Sequence, residues 1–374
     1  MTDEPTRSPA TRSVALLADP GLPRRVADAI ADGLAEDLQR EVGGGVRWVV
    51  QVDQRTLPLT PDGEVPLIES AASLRRATGA DHVVYLTDLP LYHLGEPIVC
   101  ELSSGAAAAL VSLPALGAVR LRARSRSLLV TVVASLVEGS ARYPSPEAAR
   151  PSLGRYGIAR RAGDDDISYL TRRGPATAFL MLAGMVRNNR PGRLPVALSR
   201  ALAAATATGA FGIFYPTIWN MADSMTARRL ALISLAVVTA FSGWLIVHNR
   251  LWSRRSPIAS RKETRLDNAA TVITVAISVL MAYVLLYLVL LLGGFTVITP
   301  DYLESQLAHP VSVRDYLQLA WLASSLGLMA GALGSNFDSE GAIREATYSR
   351  RQRQRRQLAE RSEEADGAEA VRGD

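Results

Sequence analysis

The hydrophobic residues near the start of the chain alternate between short runs and a helical spacing. An apolar run from Val14 to Ala18 ends in Asp19-Pro20-Gly21, which predicts a buried strand followed by a turn. The next apolar residues recur every fourth position, which predicts a helix of about five turns with one buried face. These residues are Leu22, Val26, Ile30, Leu34 and Leu38.

The same alternation continues to about residue 140. The Gly43 to Gly45 triplet ends the helix, and the pattern then predicts strands at 46–52, 82–87, 97–102 and 108–113, with helices at 65–78 and 119–138. Strands that alternate with helices favour a parallel sheet with right-handed crossovers. The link from Asp88 to Glu96 is too short for a helical crossover, so one late strand should run antiparallel at an edge. The predicted class is therefore an α/β domain with a mostly parallel sheet.

Beyond about residue 194 the apolar runs become long enough to cross a bilayer. Four of them, at 201–219, 230–247, 269–294 and 316–334, predict an α-helical bundle of four transmembrane helices. Pro216 lies near the end of the first run, where membrane helices tolerate a kink. The run from Ala178 to Val186 is too short to span and is flanked by arginines, which predicts an interfacial helix.

These patterns divide the chain into five segments. Residues 1–11 are expected to be disordered, 12–140 form the cytoplasmic α/β domain, and 141–193 form a linker with the interfacial helix. Residues 194–336 form the transmembrane domain, and 337–374 form a charged cytoplasmic tail that lacks an apolar face of useful length.

Basic residues predict the orientation in the membrane. Of the 41 basic residues only Lys262 is a lysine, and the chain carries a net charge of +5. Arginines cluster before the first span, between the second and third, and after the fourth, so these three regions should face the cytoplasm. The polar amino terminus contains no secretory signal. We therefore expect a multi-pass protein of the plasma membrane with both termini in the cytoplasm.

Few residues are arranged as a chemical site. Asp88, His93 and Glu96 share a loop at the carboxyl end of a strand, where α/β domains place ligands, although a solvated surface loop is the simpler interpretation. Cys100 is the single cysteine and lies in a predicted buried strand, which favours an inert thiol. The sequence contains neither common phosphate-binding glycine loop. It therefore predicts no catalytic residue, metal or cofactor.

Two further patterns concern partners. Four arginines between Arg120 and Arg126 form a basic run without interleaved aromatic residues, which indicates a solvated helix start or a lipid-facing patch rather than a nucleic-acid site. Small residues in the last span form a ridge that lets another helix approach closely, either within the bundle or in a homo-oligomer. The ridge consists of Ala323, Gly327, Gly331 and Ser335.

Part of the α/β domain resembles the archaemetzincins, a family of zinc peptidases. The resemblance lies in the segment Thr87 to Tyr92 and in the strand Ala109 to Leu113, which resemble the region before that family's catalytic helix. It implies a degenerate zincin-like fold without the activity, because the helix that would carry H-E-x-x-H has no histidine between Leu128 and Gly139. It also implies that strand 97–102 is an edge that could add a peptide strand, unless the 88–96 loop or the linker covers it.

The whole chain is similar to a family of actinobacterial four-span membrane proteins, some of which are labelled methylene-tetrahydrofolate dehydrogenase. Folate enzymes of that class use a Tyr-x-x-x-Lys pair, whereas Lys262 lies between two hydrophobic spans. The preferred hypothesis is a non-enzymatic, membrane-anchored accessory or sensory protein whose cytoplasmic domain binds a protein, a peptide or a small ligand. A membrane-tethered enzyme that uses the 88–96 loop and a small transporter are the alternatives. Because the spans lack central charged residues, the transporter is disfavoured.

Overall fold

A computed structural model describes residues 11–42, 46–137, 156–161, 164–172, 176–253, 260–334, 340–348, 352–355 and 357–358. The chain forms two compact units. The first contains the residues up to Asn188 together with 255–267 and 350–374, and the second contains Asn189–Arg254 and Asn268–Ser349. The first unit has the amino-terminal α/β sheet domain that the sequence predicts, and the second is helical.

The secondary structure of the first unit follows the predicted order, with one additional short strand, β4, and two strands from the linker. Its helices are α1 (Leu22–Glu41), α2 (Leu67–Thr78), α3 (Leu121–Leu136) and α4 (Ala176–Asn189). Its strands are β1 (Thr11–Ala18), β2 (Arg47–Gln54), β3 (His82–Thr87), β4 (Leu91–His93), β5 (Glu96–Ser103), β6 (Ala108–Ser112), β7 (Tyr156–Arg161) and β8 (Asp164–Arg172).

The described strands form one mixed sheet in the order β2-β1-β3-β6-β5-β8-β7, with β4 paired to β5. The pairs β1–β2, β1–β3 and β3–β6 are parallel, and the remaining pairs are antiparallel. Because β2 and β3 lie on opposite sides of β1, the direction of winding reverses between β1 and β3. This topological switch point is the place where open α/β sheets bind ligands.

Both faces of the central strands are covered. Along β1, Ala15 and Leu17 belong to an apolar core with the buried residues of α2, and with Val83 and Tyr85 of β3. The alternate β1 residues, such as Leu16, are equally buried, so another layer must cover the opposite face. That layer is α1 and α3, which Arg126 and Asp37 join through a bidentate ion pair.

The predicted edge strand lies in the interior of the sheet. Ile98 of β5 pairs with Leu91 of β4 on one side and with Thr171 of β8 on the other. The expectation of an antiparallel late strand is confirmed, because β5 is antiparallel to β6 and β8. Its placement at an edge of the sheet is wrong, and with it the idea of strand addition there. The alternative that the 88–96 loop or the linker covers this strand is confirmed, because β4 comes from that loop and β8 from the linker. Local patterns do not report such long-range pairing, which is why the sequence does not place β5 inside the sheet.

The described helices of the second unit range from four to 37 residues. They are α5 (Leu194–Ala197), α6 (Ser199–Phe214), α7 (Pro216–Asp223), α8 (Ala227–His248), α9 (Arg261–Val297), which begins in the first unit, α10 (Pro300–Leu307), α11 (Val313–Gly334) and α12 (Glu340–Thr347). Within the part of the chain that the structure describes, three helices are long and apolar enough to cross a membrane: α8, α9 and α11. The bent pair of segments 177–197 and 199–214, with a 55° angle between them, passes the same test only when taken together.

The first predicted span, 201–219, is divided in the structure. Helix α6 ends at Phe214, Tyr215 is extended, and Pro216 begins α7 at a position where its missing N–H costs no helix hydrogen bond. The bend that the sequence expects at this proline is therefore a break between two helices.

Two other segments are more closely packed than the sequence suggests. Met181 and Met185 of α4 are buried in protein contacts, so only part of its apolar surface is left for lipid. In the tail, Ile343 and Ala346 of α12 are buried in the core of the second unit, together with Tyr348. The expectation of a tail without an apolar face is wrong for this part, because Ile343 and Ala346 lie three positions apart on one face of α12 and Tyr348 follows directly after the helix.

The small-residue ridge of α11 packs within the chain. A Cβ atom added to Gly327 would lie 2.5 Å from the carbonyl oxygen of Ala205 and 3.3 Å from Cα of Gly209. One at Gly331 would lie 2.9 Å from the carbonyl oxygen of Ala201. The backbones of α6 and α11 thus approach as closely as small-residue motifs permit. Ala323 is fully buried in the same unit, and Ser335 lies outside the described residues.

Candidate functional site

A buried carboxylate lies at the switch point of the sheet. Asp19 follows β1 directly and is completely buried, and its backbone N–H donates to the carbonyl of Leu86 in β3. Its position at the carboxyl ends of two parallel strands is where ligand-binding groups of α/β domains usually lie. The local pattern around Asp19 predicts only a turn, so this buried carboxylate is the main polar residue that the sequence does not reveal.

Both oxygens of Asp19 accept hydrogen bonds from neighbouring hydroxyl groups. Tyr85 donates to Oδ1 at 2.7 Å and Thr87 donates to Oδ2 at 2.7 Å. The network continues inside the domain, because the Tyr85 hydroxyl accepts from the backbone N–H of Leu57 and the Thr87 hydroxyl from that of Leu89. A buried carboxylate that receives two hydroxyl donors is well stabilised as an anion. The arrangement therefore fixes the two loops that follow β1 and β3.

The three predicted loop residues, Asp88, His93 and Glu96, do not converge on one point. Asp88 is buried, and its backbone carbonyl accepts a hydrogen bond from the side chain of Asn188. His93 stacks on Tyr169 of β8 with 3.9 Å between ring centres. Glu96 forms an ion pair with Lys262. Each residue therefore contacts a different element of the same unit.

His93 and Glu96 face each other across a tight hairpin between β4 and β5. The two turn residues, Leu94 and Gly95, both have positive φ angles, 51° and 78°, as a type I′ turn requires. Leu94 is 91% exposed at the tip. A Cβ atom on Gly95 would lie 2.7 Å from the hydroxyl oxygen of Ser260, so glycine permits the turn and a close approach to the residue before α9.

The start of α9 and part of the tail pack beside this hairpin. Lys262 in the first turn of α9 pairs with Glu96. Arg355, in a short helical stretch at 352–355, donates from Nε to the carbonyl of Gly63 and from Nη1 to that of Pro90. We call these contacts of Ser260, Lys262 and Arg355 the hairpin anchor. The anchor connects the 88–96 loop to segments more than 160 residues away.

Tyr92 of β4 lies beside the anchor. Burial raises the pKa of its phenol well above the ordinary value, and the carboxylates of Asp267 and Glu263 act in the same direction. The hydroxyl is buried and has no hydrogen-bond partner among the described residues. The neutral phenol is therefore the form present at physiological pH.

The other candidates from the sequence, Cys100 and the basic run between Arg120 and Arg126, take part in packing and in an ion pair. Cys100 is fully buried, and burial raises the pKa of its thiol, as expected for an inert cysteine. In the basic run, Arg126 pairs with Asp37 of α1 and lowers the pKa of that carboxyl group. A cleft of about 530 Å³ between α1 and α3 contains this pair together with Arg122 and Glu41. The Gly43 to Gly45 triplet lies outside the described residues.

Sequence reasoning could have suggested part of this site. Asp19 has a local signal, since it is the first charged residue after an apolar run and precedes a Pro-Gly turn. Lys262 and Arg355 have none, because nothing near them in the sequence points to a loop in the first hundred residues. Comparisons with models of known protein families, with curated proteins and with solved structures found no match to this chain.

Proposed function

We propose that this chain is a membrane-anchored accessory or sensory protein whose α/β domain binds a protein or small ligand without catalysis. In this proposal, binding to the domain displaces the first turns of α9, and α9 carries this displacement into the membrane. The partner would be a cytoplasmic protein, peptide or metabolite that acts on the domain near the β4–β5 hairpin.

The hairpin anchor is the observation that carries the proposal. Helix α9 begins beside the hairpin, where Lys262 contacts Glu96, and continues without a break to Val297. It is also the most hydrophobic of the three membrane-crossing candidates, with a mean hydropathy of 2.8. A continuous helix moves as a rigid element, so a displacement of its first turns is carried along its length.

Catalysis at the 88–96 loop has less support. An enzyme would be expected to direct several polar groups toward one substrate, with the acid and base in reach of the same atoms. Asp88, His93 and Glu96 instead contact three different elements. At the switch point, Asp19 accepts hydrogen bonds from Tyr85 and Thr87, which suits a structural carboxylate.

Transport likewise has less support than anchoring. Uncharged polar side chains form a network between α8, α9 and α11: the Tyr283 hydroxyl lies 2.9 Å from those of Ser234 and Ser325, and Trp321 donates to Ser234 at 2.7 Å. Such a network holds membrane helices together. A proton or ion path would be expected to include an ionisable side chain within the spans.

The proposal includes a fourth crossing. We infer that α6, continued by α7 after the break at Tyr215, crosses once as a broken span, which gives four crossings in total. An even number places both termini on one side, and the clustered arginines assign that side to the cytoplasm.

A reporter fusion tests this topology. Alkaline phosphatase folds only after export, so fusions after Asp223 or Ser305 should be active, whereas fusions after Ser256 or Asp374 should be inactive. A cytoplasmic reporter such as a fluorescent protein should give the opposite pattern at the same four positions. Phosphatase activity after Ser256 would reverse the orientation, and opposite results at Ser256 and Asp374 would contradict two crossings between these positions. Access of external protease to an epitope tag at the amino terminus of intact cells would contradict the fourth crossing.

Chemical cross-linking tests the coupling through α9. Because Lys262 is the only lysine, a carbodiimide should join it to Glu96 in the full-length protein, and Glu96→Gln should abolish this link. The exposed pair contributes at most about 1 kcal/mol of stability, so the domain should remain folded in that variant. In the Glu96→Gln variant, the amide hydrogen exchange of residues 268–297 of α9, measured by mass spectrometry in lipid nanodiscs, should differ from that of the wild type.

The matched control is Arg265→Gln, which removes an exposed charge one turn further along α9. It should leave both the cross-link and the exchange of residues 268–297 unchanged. If the cross-link forms but exchange changes only before residue 268, the anchor does not communicate with the membrane part, and the sensory proposal fails.

A further inference from the structure

Three potential metal ligands from separate elements meet in the second unit. Asp223 is the last residue of α7, His309 lies between α10 and α11, and Asp315 is in the first turn of α11. One ligand atom from each residue lies within 4.8 Å of the other two. The site draws on loops far apart in the sequence, since 86 residues separate Asp223 from His309.

The imidazole of His309 is oriented as metal-binding histidines usually are. Its Nδ1 lies 3.0 Å from the carbonyl oxygen of Pro310, which favours a proton on Nδ1. The Nε2 atom then presents its lone pair to the carboxylates, at 3.3 Å from Oδ1 of Asp223. A hydrogen bond from the distal ring nitrogen to a carbonyl is the usual outer-shell support for a histidine ligand.

The two carboxylates are placed differently with respect to helix dipoles. Oδ2 of Asp315 accepts hydrogen bonds from the backbone N–H and the hydroxyl of Ser312, which fixes the carboxylate at the favourable amino end of α11. Asp223 ends α7, where the partial negative charge of the helix terminus repels a carboxylate. A cation beside Asp223 would offset that repulsion.

We propose that Asp223, His309 and Asp315 form a binding site for a divalent transition-metal ion of the Zn²⁺ class. One imidazole nitrogen and two carboxylate oxygens are borderline ligands that suit zinc, and their two negative charges balance the ion. Zinc bonds of about 2.0–2.2 Å put tetrahedral ligand atoms about 3.4 Å apart, which the Nε2 to Oδ1 distance already matches. The Asp315 oxygen lies within 4.8 Å of the other two ligand atoms, so it needs to approach by at most about 1.4 Å.

Three protein ligands leave one tetrahedral position for water. Asp223 and His309 each have 38% of the side chain exposed, so a dissolved ion reaches the site directly. In the proposed topology these loops face the exterior, but binding itself does not depend on that orientation. The site would cross-connect the loop after α7 with the loop before α11.

Zinc binding to the purified full-length protein in detergent tests the site. Titration with ZnCl₂, followed by calorimetry and by elemental analysis after desalting, should give one specific ion per chain at neutral pH. Asp223→Asn and His309→Gln should each weaken this binding by about 100-fold, because each removes a direct ligand. Co²⁺ in the same site should give the visible absorption of a tetrahedral complex, and both variants should lose it.

Asp301→Asn and Glu304→Gln are the matched controls, since both carboxylates are exposed on α10 close to the site in sequence. They should bind zinc like the wild type. Gel filtration and thermal unfolding in detergent should confirm that Asp223→Asn and His309→Gln remain folded. Unchanged zinc affinity in either ligand variant, or no stoichiometric binding by the wild type, would reduce the cluster to an ordinary His309–Asp223 ion pair and overturn the proposal.

Discussion

Replacing Gly327 with alanine is expected to destabilise the helical unit by about 1–3 kcal/mol or more, because the new methyl group meets fixed backbone. The added carbon would lie 2.5 Å from the carbonyl oxygen of Ala205, and α6 and α11 must separate to make room. Thermal unfolding in detergent, followed by tryptophan fluorescence, should show a lower midpoint. Gly327→Val should lower it further.

Alanine at Gly243 should not destabilise the helical unit. A Cβ atom on Gly243 of α8 would meet nothing within 4 Å, so only the helix propensity changes, which favours alanine by up to about 1 kcal/mol. Gly243→Ala should therefore leave the midpoint unchanged or raise it. Equal shifts for the two variants would contradict the close α6–α11 contact.

Asp19→Ala is expected to lower the free energy of unfolding of the first unit by about 3 kcal/mol or more. It removes the acceptor of two buried, charge-assisted hydrogen bonds and leaves the hydroxyls of Tyr85 and Thr87 without that partner. Reaction of Cys100 with a thiol reagent in increasing urea measures this loss, because Cys100 is the only cysteine and is fully buried in β5. Its half-labelling point should move to lower urea.

Asp81→Ala provides the exposed counterpart. Asp81 also accepts two hydrogen bonds, from the backbone N–H and the hydroxyl of Ser13, but at the surface, where water replaces the lost partner. Its expected cost is below about 1 kcal/mol. A loss as large as that of Asp19→Ala would show that burial does not distinguish the two carboxylates.

The sequence predicts the fold where its local pattern is strong. The four-residue spacing from Leu22 to Leu38 identifies α1, and the apolar runs identify β1, β3 and β6. It fails for β7 and most of β8, whose arginines and aspartates resemble a linker. Strand β8 is held in the sheet by its pairing with β5, and β7 by its pairing with β8. The β5–β8 contact joins distant segments, and no local pattern encodes it.

The site is predictable only in part for the same reason. Asp88, His93 and Glu96 share a loop, and the loop does lie at the carboxyl end of β3. Their contacts with Asn188, Tyr169 and Lys262 depend on tertiary packing. The grouping of Asp223 with His309 and Asp315 is equally long-range, although a carboxylate at the carboxyl end of a helix could have drawn attention to Asp223.

The length of α9 has a consequence for the membrane that surrounds it. Its 37 residues extend about 55 Å at 1.5 Å per residue, whereas a bilayer with its headgroups is about 40–45 Å thick. The excess of at least about 10 Å corresponds to the length of its first seven residues, which carry Glu263 and Asp267. A bilayer thicker by that amount would draw both carboxylates into the headgroup layer unless the protein distorts the lipid around it.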